Sequence, residues 1–243
     1  MTQAPASDEP QRLAKRVAAQ VPCSRREAEQ YIAEGRVRVD GRCIEEPFFR
    51  VAATQRVEID RAARLQRPIH ATVLLHKPAG MDTAEAAASI GAQTHWAEDG
   101  SGIRYIKGHG AGLAALLPLP AQAAGLSIFS QDEGIVRKLT EDAAFVEQEL
   151  VAQVAGTASA DALMRLGRLL VPDGKGLPPA RVSWQSETRL RIAAKGIALE
   201  RVAAACAEIG LQLASLKRIR IGRVPMAGLP AGQWRYLPAG ERF

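Results

Sequence analysis

Residues 108 to 131 contain no Asp, Glu, Lys or Arg, in a chain of 243 residues of which 24% are charged. At that frequency about six charged residues belong in such a stretch. Acid, base and ion-pair chemistry from a carboxylate is therefore excluded over the whole segment, GHGAGLAALLPLPAQAAGLSIFSQ. The segment is not a membrane span either. Pro118 and Pro120 interrupt any helix, and its Ala and Gly make it weakly hydrophobic for a span of about 20 residues. Short buried strands around a turn are expected, and a membrane is not expected as a partner. Cysteine is equally sparse. Cys23, Cys43 and Cys206 lie far apart and form no CxxC or metal-ligand spacing, which argues against a disulfide scaffold or a metal site and suits reduced thiols in a cytoplasm. The opening MTQAPASDEPQ lacks the basic-then-apolar order of a secretory signal, so residues 1–10 are expected to be a short disordered tail.

A hydrophobic content of 47% lets the chain bury a core, most naturally as one large and one small domain. The net charge of +6 fits anionic partners. Its distribution says more. Arg12 to Arg67 hold 13 basic and 8 acidic residues, a net of +5, and Arg189 to the end hold 10 and 3, a net of +7. The middle, Pro68 to Thr188, has 9 basic and 13 acidic residues and is net negative. The two ends are the candidates for contact with a phosphate backbone.

Residues 11–60 form a pattern of their own. In RLAKRVAAQ, Leu13 and Val17, with Ala14 and Val21, share a helical face, while Arg12, Lys15 and Arg16 take the other. Pro22 and Cys23 end that helix. Ser24 is placed to cap the next, with Glu27 at the capping-box position and Ala28, Tyr31 and Ile32 as its buried stripe; Gly35 stops it. The period then becomes alternating. Val37 and Val39 face one way and Arg36 and Arg38 the other, ahead of an Asp40-Gly41 hairpin turn. In such a fold Arg12, Lys15, Arg25, Arg26, Arg36 and Arg38 would make a cationic surface, and the helix-start amides would add to its attraction for phosphate.

RAARLQRPIH has linker composition, so a linker is expected over 61–70 and a second domain over 71–243. The second domain offers strands over Thr72 to Leu75, Leu126 to Phe129, Glu147 to Val154 and Thr188 to Ala193. Helical character runs over Ser159 to Leu170 and again through Leu199, Val202, Cys206 and Ile209 to a stop at Gly210; residues 171–180 read as loop. LKRIRIGRV is expected to set Ile219 and Ile221 on one face of a strand and Arg218 and Arg220 on the other. Helices and strands mix without a regular βαβ rhythm, so the fold class is α+β with a largely antiparallel sheet.

The pieces Arg12-Leu13, Ser24-Arg25-Arg26-Glu27-Ala28 and Gly35-Arg36-Val37-x-Val39-Asp40-Gly41 resemble the small RNA-binding domain named S-four, or alpha-L. Farther on come Lys77-Pro78-x-Gly80, Gly125-Leu126-x-x-Phe129 with Asp132-x-Gly134, Leu216-Lys217-Arg218-Ile219-Arg220-Ile221-Gly222, and Gly228-Leu229-Pro230-x-Gly232-x-Trp234-Arg235-x-Leu237. In that order they resemble the ribosomal RNA pseudouridine synthases that carry an N-terminal S-four-like domain. The resemblance implies binding of structured RNA, ribosomal RNA above all, and no metal or organic cofactor. It implies RNA contacts by Arg12, Lys15, Arg25, Arg26, Arg36 and Arg38, with Lys217, Arg218 and Arg220 on the larger domain.

The same resemblance locates an absence. In that family an Arg-Leu-Asp triplet precedes the Gly-Leu strand, and its Asp is the nucleophile. Spacing back from Gly125 puts Pro118-Leu119-Pro120 there, and proline carries no group able to perform that step. The family's Lys-x-Tyr falls on Gln148 and Leu150, and its Gln-Val-Arg-Arg-Met run on Arg201-Val202-Ala203-Ala204-Ala205. Among other carboxylates, Asp132 reads as a turn or cap residue, while Asp82 and Asp99 lie in loops without a motif. Lys77 reads as a turn or RNA-facing residue, and His76, His95 and His109 as structural or exposed. The expectation is an RNA-binding protein on a pseudouridine synthase scaffold without isomerase chemistry and with no catalytic residue at Pro120. Two alternatives stay open: an active synthase acting on a uridine of ribosomal or transfer RNA, and a ribosome-assembly interaction factor.

Overall fold

The computed structural model describes residues 10–60, 70–171 and 176–243. The tail expected over 1–10 and the linker expected over 61–70 lie, but for Pro10 and His70, outside the described residues, as does part of the loop expected over 171–180. Contacts group the described residues into two compact units: those of Met1–Ile69 together with Arg104–Ala111, and those of His70–Ile103 together with Gly112–Phe243.

In the first unit the chain runs β1 (Gln11–Arg12), α1 (Leu13–Gln20), α2 (Arg25–Ala33), β2 (Val37–Val39), β3 (Arg42–Cys43), β4 (Arg50–Val51) and β5 (Val57–Ile59). Leu13, Ala14 and Val17 of α1 and Ala28 and Ile32 of α2 bury the faces their spacing predicts, closing a core with Val37, Val39 and Val51. The capping box forms as expected: Glu27 N–H donates to Ser24 Oγ at 3.2 Å and Ser24 N–H to Glu27 Oε2 at 2.6 Å. Asp40 and Gly41 both take positive φ, 48° and 80°, the geometry of a two-residue hairpin turn that joins β2 to β3.

In the second unit the order is β6 (Thr72–Lys77), α3 (Thr83–Ala88), β7 (Ala114–Leu116), β8 (Ala124–Ser130), α4 (Glu133–Glu141), β9 (Glu147–Ala155), α5 (Ala160–Leu169), β10 (Arg181–Ser186), β11 (Arg189–Lys195), α6 (Val202–Glu208), β12 (Gln212–Ile221), β13 (Val224–Pro225) and β14 (Trp234–Tyr236). Among the described residues the sheet runs β10-β11-β9-β12-β8-β6-β14, with β7 beside β8 and β13 beside β12. Its pairings are antiparallel except β12 with β8, so the class is α+β as expected. The uncharged segment folds into β7, a turn and β8, which pair with each other. One apolar cluster joins Leu150, Ala152, Leu190 and Leu216 of the sheet to Leu166 of α5 and Val202 of α6. A second joins Leu74, Leu126, Ile128 and Ile221 to Leu139 of α4.

The simple alternation expected in β12 does not hold. Its register against β9 runs Arg218↔Leu150 and then Arg220↔Glu149, an irregularity that takes up Ile219. Because Leu150 and Glu149 point to opposite faces of β9, Arg218 and Arg220 do too. Arg218 goes into the interior and Arg220 to the face that carries Glu147 and Glu149.

Candidate functional site

The expected cations of the first unit are all at the surface. Arg12, Lys15, Arg25, Arg26, Arg36 and Arg38 are exposed. Arg25 meets Glu29 at 3.5 Å and Arg36 meets Asp60 at 3.4 Å, both loose, solvent-exposed pairs that a phosphate can displace at little cost. Arg38 donates to Gly41 O, and Arg12 lies over the exposed Phe48 ring, 5.4 Å from its centroid. Arg26 and Lys15 form no ion pair among the described residues. A cavity of about 560 Å³ in the same unit is lined by Asp40, Glu45 and Glu46 as well as by Arg42 and Lys107, and this mixed lining does not single out an anion.

The cations expected on the second unit behave otherwise. Lys217 is half-buried. Arg220 donates to Glu147 at 2.6 Å and to Glu149 at 2.8 Å, and also to Gly222 O, so its charge is neutralised within the fold. Arg218 is fully buried and cannot reach a phosphate in solvent. The RNA-facing role expected of Arg218 is thereby corrected, and that of Arg220 reduced. The cause is the bulge in β12, which no local pattern announces.

Arg218 instead belongs to the interior beside the segment that lacks charge. Its Nε donates to Leu126 O at 2.8 Å and its Nη1 to Gln148 Oε1 at 2.7 Å, while Nη2 is enclosed without a partner. Gly125 makes the close approach of β8 possible. It has φ +112°, and a Cβ there would stand 2.2 Å from Arg218 O. Burial pushes the Arg218 pKa down to about 9, which leaves it protonated at neutral pH. Among the described residues no carboxylate pairs with it.

Lys77 lies in the same region, and its expected place in an open turn is also corrected. It is buried at the end of β6, and its ammonium donates to the carbonyls of Pro78, Met81 and Ala121 at 3.1, 2.7 and 3.1 Å. Burial pushes its pKa down and the charge of Arg218 pushes it further, against Asp82 and Glu85. No side-chain pattern signals this burial, because the three acceptors are backbone oxygens.

Several of the positions that the resemblance marked as changed lie in this part of the unit. Leu119 and Leu150 share one apolar cluster, Gln148 holds Arg218, and Pro120 O accepts from Ala123 N–H in the turn before β8. The other acids are used locally. Asp132 caps α4 through Ile135 N–H, as expected; Asp82 caps α3 through Glu85 N–H. Asp99 accepts from the backbone N–H groups of Tyr236 and Ser101, and its other contact is His95, which stacks on Trp234. His76 is buried, its Nδ1–H donating to Leu229 O at 2.6 Å. Among the described residues no group of three or more His, Cys, Asp or Glu is arranged to hold a metal.

Comparison with known proteins bears on both units. The family model for the S4 domain matches residues 11–57. The chain is 26% identical over 173 residues to the ribosomal large subunit pseudouridine synthase B of Bacillus subtilis (strain 168), a match covering 69% of this chain and 66% of that protein, just under two thirds of its length. It is 23% identical over 237 residues to an uncharacterized RNA pseudouridine synthase of Aquifex aeolicus (strain VF5), covering 95% of this chain and 94% of that one. A crystal structure of a pseudouridylate synthase superposes with a TM-score of 0.55 at 17% identity, over 93% of this chain and 95% of the other. The fold is therefore that of the pseudouridine synthases. The chain carries an S4 domain ahead of it and is homologous to the ribosomal large-subunit pseudouridine synthases.

Proposed function

We propose that this protein binds structured RNA, ribosomal RNA above all, through the exposed cations of its S4 domain, and that it lacks the isomerase chemistry of its relatives. One observation carries the second half of this reading. The position where the resemblance expects a nucleophilic Asp is Pro120, within a segment free of carboxylates, and the nearby buried Arg218 pairs with no acid among the described residues. Without a carboxylate on that segment the expected nucleophile is missing, and the step in which it attacks the base cannot start there.

Arg12, Lys15, Arg25, Arg26, Arg36 and Arg38 supply the affinity, and contacts of this kind go to phosphates, so recognition is of RNA shape more than of sequence. Of the three cations expected to assist on the larger domain, Lys217, half-buried and in no ion pair among the described residues, is the one left to do so. The cytoplasmic location belongs to this proposal and is supported by the three cysteines, which are free thiols; among the described residues no helix is long and apolar enough to cross a membrane. The test is incubation of the purified protein with unmodified ribosomal RNA, followed by mapping of pseudouridine at each uridine. The expected result is binding without new pseudouridine. Catalytic formation above a control without protein would establish the active-synthase reading in its place.

A further inference from the structure

The short ribbon of β1 and β4 sets two arginines directly opposite each other. Its register pairs Arg12 with Arg50, so their side chains leave the same face, and both are exposed. Like charges so placed repel. No acid answers them: among the described residues neither arginine forms an ion pair, and Glu46, the acid closest before Arg50 in the chain, is held by Lys107 at 2.8 Å. Arg50 donates only to a neutral acceptor, Pro10 O, at 3.3 Å. The same face carries an aromatic ring. Phe49 packs against the core of the unit, whereas Phe48 is 70% exposed, with the Arg12 guanidinium 5.4 Å from its ring centroid. An exposed ring alone is ordinary. Beside two unneutralised arginines it has the make-up of a surface for single-stranded nucleic acid, an aromatic platform for a base next to cations for the backbone.

We propose that Phe48, Arg12 and Arg50 form a subsite for one unpaired nucleotide of a single-stranded RNA segment, its base stacked on Phe48 and its phosphate held between the two arginines. Directly opposed residues have Cβ atoms about 4.5–5.5 Å apart, close enough for two arginine side chains to converge on one phosphate, and the phosphate removes their mutual repulsion. The exposure of Phe48 leaves ring area for a base beside Arg12. Stacking tolerates any base, since each has a flat face, but a base paired within a helix is covered on both faces and cannot use the ring. The subsite rests on the reading of this unit as RNA-binding, and adds to it a preference for an unpaired nucleotide.

The probe is single-stranded hexa-adenylate with 2-aminopurine at a central position, whose fluorescence falls when its base stacks, titrated with the full-length protein. Phe48→Ala and Phe48→Leu should each weaken binding by about tenfold and leave the slope of log K against log salt unchanged, because no cation is lost; Phe48→Tyr should keep the wild-type affinity. Arg50→Ala should reduce that slope by about 0.7, the value for one phosphate contact on a single strand. Binding of a paired RNA duplex of the same length should not change in the Phe48 variants. An exposed side chain can be replaced without opening the core, and circular dichroism verifies the fold of the variants, since Trp96, Trp184 and Trp234 all lie in the second unit and do not report on the first. Unchanged hexa-adenylate affinity in Phe48→Ala or Phe48→Leu, or an equal loss on the duplex, overturns the proposal. Binding of folded ribosomal RNA without binding of hexa-adenylate overturns it too and leaves the RNA-binding reading in place. Hexa-adenylate bound through Phe48, with folded ribosomal RNA unbound, would sustain the subsite and remove ribosomal RNA as the partner; failure to bind either removes both.

Discussion

Replacing Gly125 by Ala should destabilise the second unit far more than the same change at another glycine of positive φ. Gly125 lies in β8 opposite Arg218 of β12, and an added methyl would meet Arg218 O at 2.2 Å, N at 2.6 Å and C at 2.9 Å. These are backbone atoms held by the parallel pairing Lys217↔Ala124 and Arg218↔Gly125, and they cannot swing aside as the end of a side chain would. Two costs add. The conformation, at φ +112°, costs about 1–2 kcal/mol for a residue with a Cβ, and the forced separation of the strands adds about 1–3 kcal/mol. Gly228 isolates the first cost, since it has φ +77° and a Cβ there meets nothing within 4 Å. Urea unfolding followed by tryptophan fluorescence reads the second unit alone. With a slope of about 2 kcal/mol per molar urea, the midpoint should fall by about 1–2.5 M in Gly125→Ala and by about 0.5–1 M in Gly228→Ala. Equal shifts in the two variants would refute the argument that the approach of Arg218 dictates glycine at 125.

Two further outcomes are expected. Arg25→Ala with Arg26→Ala should weaken binding to folded ribosomal RNA and reduce the slope of log K against log salt by about 1.5–2, one phosphate contact for each residue; an unchanged slope in a filter-binding titration would remove these two from the RNA contact. The acid limb of stability should depend on Glu147 and Glu149. The Glu147 carboxyl is held below its ordinary pKa chiefly by Arg220, and that of Glu149 by Arg191 at 2.5 Å and then by Arg220. A depressed folded pKa contributes stability that is complete above the ordinary carboxylate range, about 4.3, and is lost as pH falls through the folded value. The melting temperature of the wild type should thus drop more steeply from pH 6 to pH 3 than that of Glu149→Gln. At pH 7 that variant should be about 1–2 kcal/mol less stable, less than for a fully buried pair because Arg191 and Arg220 reach solvent. Parallel pH profiles would assign the acid transition to other groups.

Features that depend on neighbours within a few residues were legible in the chain alone. The Ser24–Glu27 capping box, the Asp40-Gly41 turn, the buried faces of α1 and α2, the strands either side of Pro118 and Pro120 and the cap at Asp132 all formed where spacing and side-chain type put them. The absence of charge over 108–131 is likewise a property of the sequence, and no folding can place a carboxylate on that stretch. The fate of the cations farther along depended on long-range packing. Arg218 and Arg220 look equivalent in LKRIRIG, yet one residue of irregular register against β9 sends the first into the interior and the second to Glu147 and Glu149. Lys77 is buried because carbonyls of Pro78, Met81 and Ala121 converge on it, and Ala121 lies 44 residues away. Arg104–Ala111, inside the stretch expected to form the larger domain, groups with the first unit, where Lys107 meets Glu46 at 2.8 Å. Pairing register and long-range convergence of backbone acceptors leave no periodic trace in a sequence, because a strand's alternation fixes which residues oppose one another only after its partner strand is in place.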